Sequence, residues 1–259
     1  MTARNIATAV AFCAVMAVAP AATAGAAPAG TELVGSQAGV SARSASGISG
    51  PSKKVGTWTA RILAGSAVRR RPGGKGVAWY ARGRTRWSGT AQRLMVLRTA
   101  RIKGRMWLRV RLPVRPNGSA GWIPLDRVRL GRTRRYVVID RSRRTLSIYR
   151  RGRRAVSFRV VVGNRRTPTP LGLFAVYDRV RQPDPGGFTG PWVLPLTAHS
   201  DVLDRYDGGP GLVALHGRGG SSLLDPLGAA LSHGCVRMVN PRIRHLARLM
   251  KGTAVRIRQ

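Results

Sequence analysis

"YVVIDRSRRTLSIYRRGRRAVSFRVVVG", residues 136–163, is the stretch from which the fold can be read. Three apolar-rich runs, YVVID, TLSIYR and AVSFRVVVG, are separated by two short basic turns, RSRR (141–144) and RGRR (151–154). Runs of this length, rich in β-branched and aromatic residues and punctuated by tight polar turns, predict an antiparallel meander. Downstream, GLFAVYDRV (172–180) and GLVALHG (211–217) predict further strands, with a Gly/Pro/Asp-rich loop region between them from Gln182 to Pro210. NPRIRHLARLMKG (240–252) predicts the one helix. Asn240 suits its cap and Pro241 its first turn, and Gly252 ends it. Ile243, Leu246, Ala247 and Met250 recur at helical spacing and form one apolar face. TAVRIR (253–258) predicts a last strand.

Upstream of the meander the runs are shorter. TWTARIL (57–63), GVAWYA (76–81), QRLMVLRTARI (92–102), MWLRVRL (106–112) and GWIPLDRV (121–128) are broken by RPGG, KGR and RPNGSAG. Trp107 to Leu112 alternates apolar residues with Arg, as a half-exposed strand does. The run from Trp107 through Val128 resembles the end of a bacterial SH3-like module, which implies a small barrel over about 57–130. The whole is therefore expected to be mostly β, in two parts.

The first 24 residues have the form of a secretory signal: Arg4, an apolar run from Ile6, and the small-x-small site Ala22-Thr23-Ala24. Pro20 and the small residues after it interrupt the run before the length of a membrane span. Residues 25–56, rich in Ala, Gly and Ser, are expected to be a disordered tether. The expected location is outside the cytoplasm, at the cell wall or in a periplasm.

The chain carries 46 Lys and Arg against 9 Asp and Glu, a formal net charge of +37. Such a surface favours anionic partners. The basic residues are spread along both halves, with no zinc-finger, helix-turn-helix or aromatic RNP pattern, so no specific nucleic-acid partner is expected. Anionic wall polymers are the more natural counterpart of a secreted chain. A polyanion binder would bind with steep salt dependence and without regard to the cysteine.

Of two cysteines, Cys13 leaves with the signal and Cys235 stands alone, which excludes an intramolecular disulfide scaffold. A lone thiol is either a buried small hydrophobe or a reactive group. Its setting is LSHGCVRMVN, residues 231–240, with His233 two residues before it and His216 nineteen before it. On an extended segment, residues 233 and 235 point to one side. Gly217 and Gly234 allow close backbone approach, and amides beside Cys235 suit a developing oxyanion. Together these are the parts of a cysteine nucleophile, its base and an orienting group. Zinc is the rival chemistry for two His and one Cys. It is not favoured, because no CxxC or HxxxH spacing is present and a fourth ligand, such as His199 or His245, would have to be added.

HG followed by SHGCVRMVN, with TPTPLGLF at 167–174, resembles the signature of YkuD-type L,D-transpeptidase catalytic domains. Thr169, Pro170, Gly172 and Phe174 match the upstream element. The resemblance covers about Tyr136 to the end and implies a catalytic domain over 135–259 with a β-sandwich fold. It implies that Cys235 attacks a donor stem peptide of peptidoglycan and that an acceptor stem resolves the thioester, with no cofactor and no metal. Water as acceptor would give a carboxypeptidase. His216 is implied as general base, with its ring oriented by the carbonyl of Gly217. His233, Gly234 and Cys235 are implied to shape the oxyanion pocket. Arg237 is expected near anionic groups of the substrate, and Ser232 and Asn240 are expected to hold the loop. Carbapenems are expected inhibitors, and a monomer is the expected state. The alternative is a wall-binding protein, for peptidoglycan or teichoic acid, with little catalysis.

Overall fold

The computed structural model describes residues 48–206 and 209–259. The expected signal, 1–24, and residues 25–47 of the expected tether lie outside them. The tether does not extend to residue 56. Ile48 is buried in the N-terminal core, and Ser52 and Gly56 exchange backbone hydrogen bonds of 2.8 and 3.1 Å.

The N-terminal part is one antiparallel sheet of β1 (Thr57–Ile62), β2 (Ser66–Arg69), β3 (Val77–Ala81), β4 (Arg93–Ile102), β5 (Arg105–Arg111), β6 (Ala120–Pro124) and β7 (Val128–Thr133). The pairing order is β3-β2-β6-β5-β4-β1-β7, so the sheet ends at β3 and β7. A small barrel was expected; the pairing runs in this linear order. β2 and β7 have no counterpart among the predicted runs. Both are built from short Arg-interrupted stretches without a sustained apolar pattern. Ile62, Leu94, Leu108, Val110 and Ile123 form the centre of this part.

The C-terminal part contains the predicted meander. β8 (Arg135–Asp140), β9 (Thr145–Arg150) and β10 (Arg153–Arg159) pair antiparallel, and Arg144, Arg151 and Gly152 take positive φ in the two turns. The third predicted run is split. Its end leaves the meander as β11 (Val162–Gly163), which pairs with β16 (Ala230–Ser232). β18 (Ala254–Arg258) lies parallel to β8 and antiparallel to β12 (Gly172–Ala175), completing a five-stranded sheet.

A four-stranded sheet faces it: β13 (Val180–Arg181), β14 (Trp192–His199), β15 (Leu212–His216) and β17 (Val236–Arg237), in that order. β14 is a correction, since 182–210 was expected to be loop throughout. Its sequence, WVLPLTAH, is a buried strand interrupted by Pro195, and the pairing with β15 is irregular between Pro195 and His199. Val137, Ile139, Leu146, Phe174 and Ile257 from one sheet and Leu194, Leu196, Leu215 and Val236 from the other share one core.

The helix α1 spans Asn240–Leu246, shorter than predicted, and Leu246 to Gly252 continues as turns. Val239 holds the cap position, and Asn240 has turned its side chain elsewhere. Ile243 and Leu246 are buried, as the predicted apolar face requires. Among the described residues no helix is long and apolar enough to cross a membrane.

The two parts are packed together. Met95 from β4 meets Tyr136, Val138, Ala175 and Ala254 in a shared apolar cluster. Beside it, Lys251 and Asp178, both essentially without solvent contact, lie 3.5 Å apart. Lys251 Nζ donates to Thr90 Oγ1 at 2.6 Å, and Ser88 Oγ donates to Asp178 at 2.6 Å. Burial pushes the Asp178 carboxyl up, but the bonds from Ser88 and Arg179 and the Lys251 charge outweigh it and hold it below its usual range.

Candidate active site

β15 and β17 run side by side and parallel, with Leu215 opposite Val236 and His216 opposite Arg237. Side chains alternate across a sheet. Leu215 and Val236 therefore enter the core, and His216 and Arg237 share the other face. Cys235 immediately precedes β17, so it comes to that same face as a diagonal neighbour of His216. It is half-buried and is a free thiol.

His216 is 3% exposed. Its Nδ1 lies 2.8 Å from the carbonyl oxygen of Gly217. A carbonyl only accepts, so Nδ1 carries the proton and Nε2 is left as the basic nitrogen. This is the contact that an orienting role of Gly217 requires. A Cβ at position 217 would lie 2.4 Å from Asn240 Oδ1, so the site holds the glycine for space as well. Burial, then the charge of Arg237, pushes His216 down to about 4; hydrogen bonding to the backbone of Gly217 and Thr189 opposes them. Burial likewise raises the Cys235 thiol, opposed by a backbone hydrogen bond from Ala214 and by Arg237. Both groups therefore rest neutral, as a thiol and an imidazole, near neutral pH.

The loop before the cysteine is held from two sides. Ser232 Oγ donates to the Cys235 carbonyl at 2.5 Å and accepts from Gly234 N–H at 3.2 Å. Thr169 Oγ1 donates to the Gly234 carbonyl and accepts from Gly163 N–H, both at 2.9 Å. The upstream TPTPLGLF element thus meets the cysteine loop through Thr169. Gly234 has φ +114°, a conformation that favours glycine. The Gly234 N–H is taken up by Ser232.

Three expectations change. The segment 233–235 is not extended, because Gly234 turns it, and His233 does not share the side of Cys235. His233 is exposed and stacks on Tyr206 at 5.4 Å. Arg237, expected near anionic groups of the substrate, is drawn into the protein. It is 5% exposed, paired with Asp225, and its guanidinium lies 4.7 Å from the centre of the Phe188 ring. Asn240 does not cap the helix; its Oδ1 accepts from Arg218 N–H at 2.9 Å. Asp225, Phe188, Thr189 and Arg218 were not foreseen; they lie in loops without a periodic or motif signal.

Among the described residues no group of three or more His, Cys, Asp or Glu side chains is placed to hold a metal ion. His199 is buried on β14 beside Asn117, and His245 lies on α1. Neither comes to the cysteine.

Residues 134–257 match the family model of YkuD, described as the L,D-transpeptidase catalytic domain. A protein of Bacillus licheniformis, provisionally named L,D-transpeptidase YkuD, is 33% identical over 122 residues, which cover 47% of this chain and 64% of that protein. The chain thus spans just under two thirds of the length of that relative. Among solved structures, the catalytic domain of the Enterococcus faecium L,D-transpeptidase is 20% identical, covering 49% of this chain and all of that one, with a TM-score of 0.36. L,D-transpeptidase 3 of Mycobacterium tuberculosis, solved with a faropenem-derived adduct, is 13% identical over 60% of this chain and 91% of that one, with a TM-score of 0.40. By its motifs in order and the family match over residues 134–257, the C-terminal half of this chain is similar to YkuD-type L,D-transpeptidase catalytic domains.

Proposed function

We propose that this chain is an extracytoplasmic cysteine L,D-transpeptidase that cross-links peptidoglycan stem peptides. The observation that carries the reading is the single tautomer of His216, set by Gly217, on the sheet face that also presents Cys235.

In this mechanism the donor's carbonyl at the L-centre of its third residue lies against Cys235. His216 Nε2 takes the thiol proton as Sγ bonds to the carbonyl carbon. The amide N–H of Cys235 steadies the oxyanion that forms. Collapse breaks the bond to the terminal D-Ala, whose amine leaves with the proton from His216. The product is a thioester on Cys235. The side-chain amine of an acceptor stem then attacks it and gives a proton to His216. The amide forms and the thiolate regains its proton. Water in place of the amine gives the carboxypeptidase reaction. A resting neutral pair suits this cycle, because the proton moves only as the sulfur attacks. His233, on the exposed side with Tyr206, sits where a substrate peptide would arrive rather than in the proton path. The basic surface supplies attraction for anionic wall polymers.

The test is mass spectrometry of the intact protein after exposure to a carbapenem, together with release of D-Ala from a tetrapeptide stem. Wild type should gain one covalent adduct and release D-Ala; Cys235→Ala should do neither while keeping its melting temperature. Wild-type protein that is folded yet gives neither adduct nor release would overturn the reading in favour of a wall-binding protein.

A further inference from the structure

Asp225, half-buried, forms an ion pair with buried Arg237 beside the proposed catalytic pair, and nothing in the cycle above uses it. Arg237 sits directly across from His216 in the strand register, and its side chain is 6% exposed. The Phe188 ring lies against both, 6.2 Å from the His216 ring and 4.7 Å from the guanidinium. A cation held this close in a dry site acts strongly on a neighbouring imidazole and thiol.

The chain takes some trouble to bring Asp225 there. Arg218, two residues past His216, is 8% exposed. It donates from Nε to the Ser222 carbonyl at 3.1 Å, and from Nη2 to the carbonyls of Leu223 and Asp225 at 2.7 and 2.5 Å. The segment 218–225 is wound around this one side chain. Its end is thereby fixed with the Asp225 carboxylate on Arg237.

We propose that Asp225 is a positioning residue for the acyl transfer: it offsets the Arg237 charge that faces His216 and so sets the pH range in which Cys235 and His216 exchange their proton. This rests on the catalytic reading of the same pair. The charged and titratable groups around His216 are Arg237 and Cys235 at the adjoining strand, Asp225 and Arg218 from the following loop, and His233, which is turned to Tyr206. The loop over the ring contributes only Phe188 and the Thr189 backbone, which carry no charge.

The readout is alkylation of Cys235 by iodoacetamide across pH, followed by intact mass. It needs no stem peptide, so it stands apart from the test of the reaction itself. Asp225→Asn leaves Arg237 uncompensated and should move the alkylation midpoint to lower pH, with about tenfold faster labelling at a fixed pH below the midpoint. Asp225→Glu keeps the charge and should stay near wild type. Arg237→Gln should move the midpoint the other way. The double variant, Asp225→Asn with Arg237→Gln, should lie below Arg237→Gln and above Asp225→Asn, because the two charges act on the thiol with opposite sign. An unmoved midpoint in folded Asp225→Asn, or single variants that both shift the same way, would overturn the proposal. If Asp225→Asn alone does not fold, a double variant whose midpoint is no lower than that of Arg237→Gln would do so. A wild type that alkylates normally but forms no carbapenem adduct would instead count against the catalytic reading.

Discussion

His216→Gln should make the fold less sensitive to acid. The imidazole of His216 is 3% exposed and held at about 4. In the unfolded chain a histidine takes its proton near 6.5. The folded value is the lower one, so the unfolded state binds the proton first. The stability that depends on a neutral His216 is complete above about pH 6.5 and is lost as the pH falls toward 4. The limiting loss is 1.36 kcal/mol per unit over this gap, about 3 kcal/mol. At pH 5 most of that has been spent, about 2 kcal/mol. Urea unfolding at pH 7.5 and 5.0 measures it. Wild type should lose about 2 kcal/mol more between the two pH values than His216→Gln does. His199 and His245 are also held low by burial, but they are the same in both proteins and cancel in the comparison. Equal losses in the two proteins would show that His216 is hydrated or already paired with an acid, and the neutral resting state inferred for the site would be wrong.

Thr169→Ala removes the hydroxyl that links Gly163 to Gly234 in a site without solvent contact. It should cost about 1–3 kcal/mol in urea unfolding and slow carbapenem acylation of Cys235, and Thr169→Ser should restore most of both. Lys251→Met leaves Asp178 as an unpaired buried charge between the two parts. A loss of about 3–5 kcal/mol is expected, largely recovered when Asp178→Asn is added; the melting temperature follows both steps.

The meander, the last strand and the candidate pair of His216 and Cys235 were legible because each is encoded locally. Strands β8 and β9 announce themselves by composition, and Cys235 by being alone. The fate of 182–210 was not legible. Pro195 inside a buried strand defeats a propensity reading, because β14 is held by neighbours far along the chain and not by its own pattern. The orientation of His233 was lost for a related reason: a single positive φ at Gly234 cancels the alternation on which the expectation stood. The ion pair of Arg237 was not legible because its partner, Asp225, is twelve residues away in a loop, where spacing says nothing about contact.

The junction of the two parts is a single residue. β7 ends at Thr133 and β8 begins at Arg135. A Cβ added to Gly56 would lie 2.2 Å from the Thr133 carbonyl, so the chain is clamped over the joint as well. Such a connection has no slack. With Lys251 and Asp178 locked beside it, the N-terminal sheet cannot swing like a domain on a flexible leash. In mechanical terms the molecule is one lever: a push on the N-terminal sheet is passed undamped to the sheets that carry His216 and Cys235.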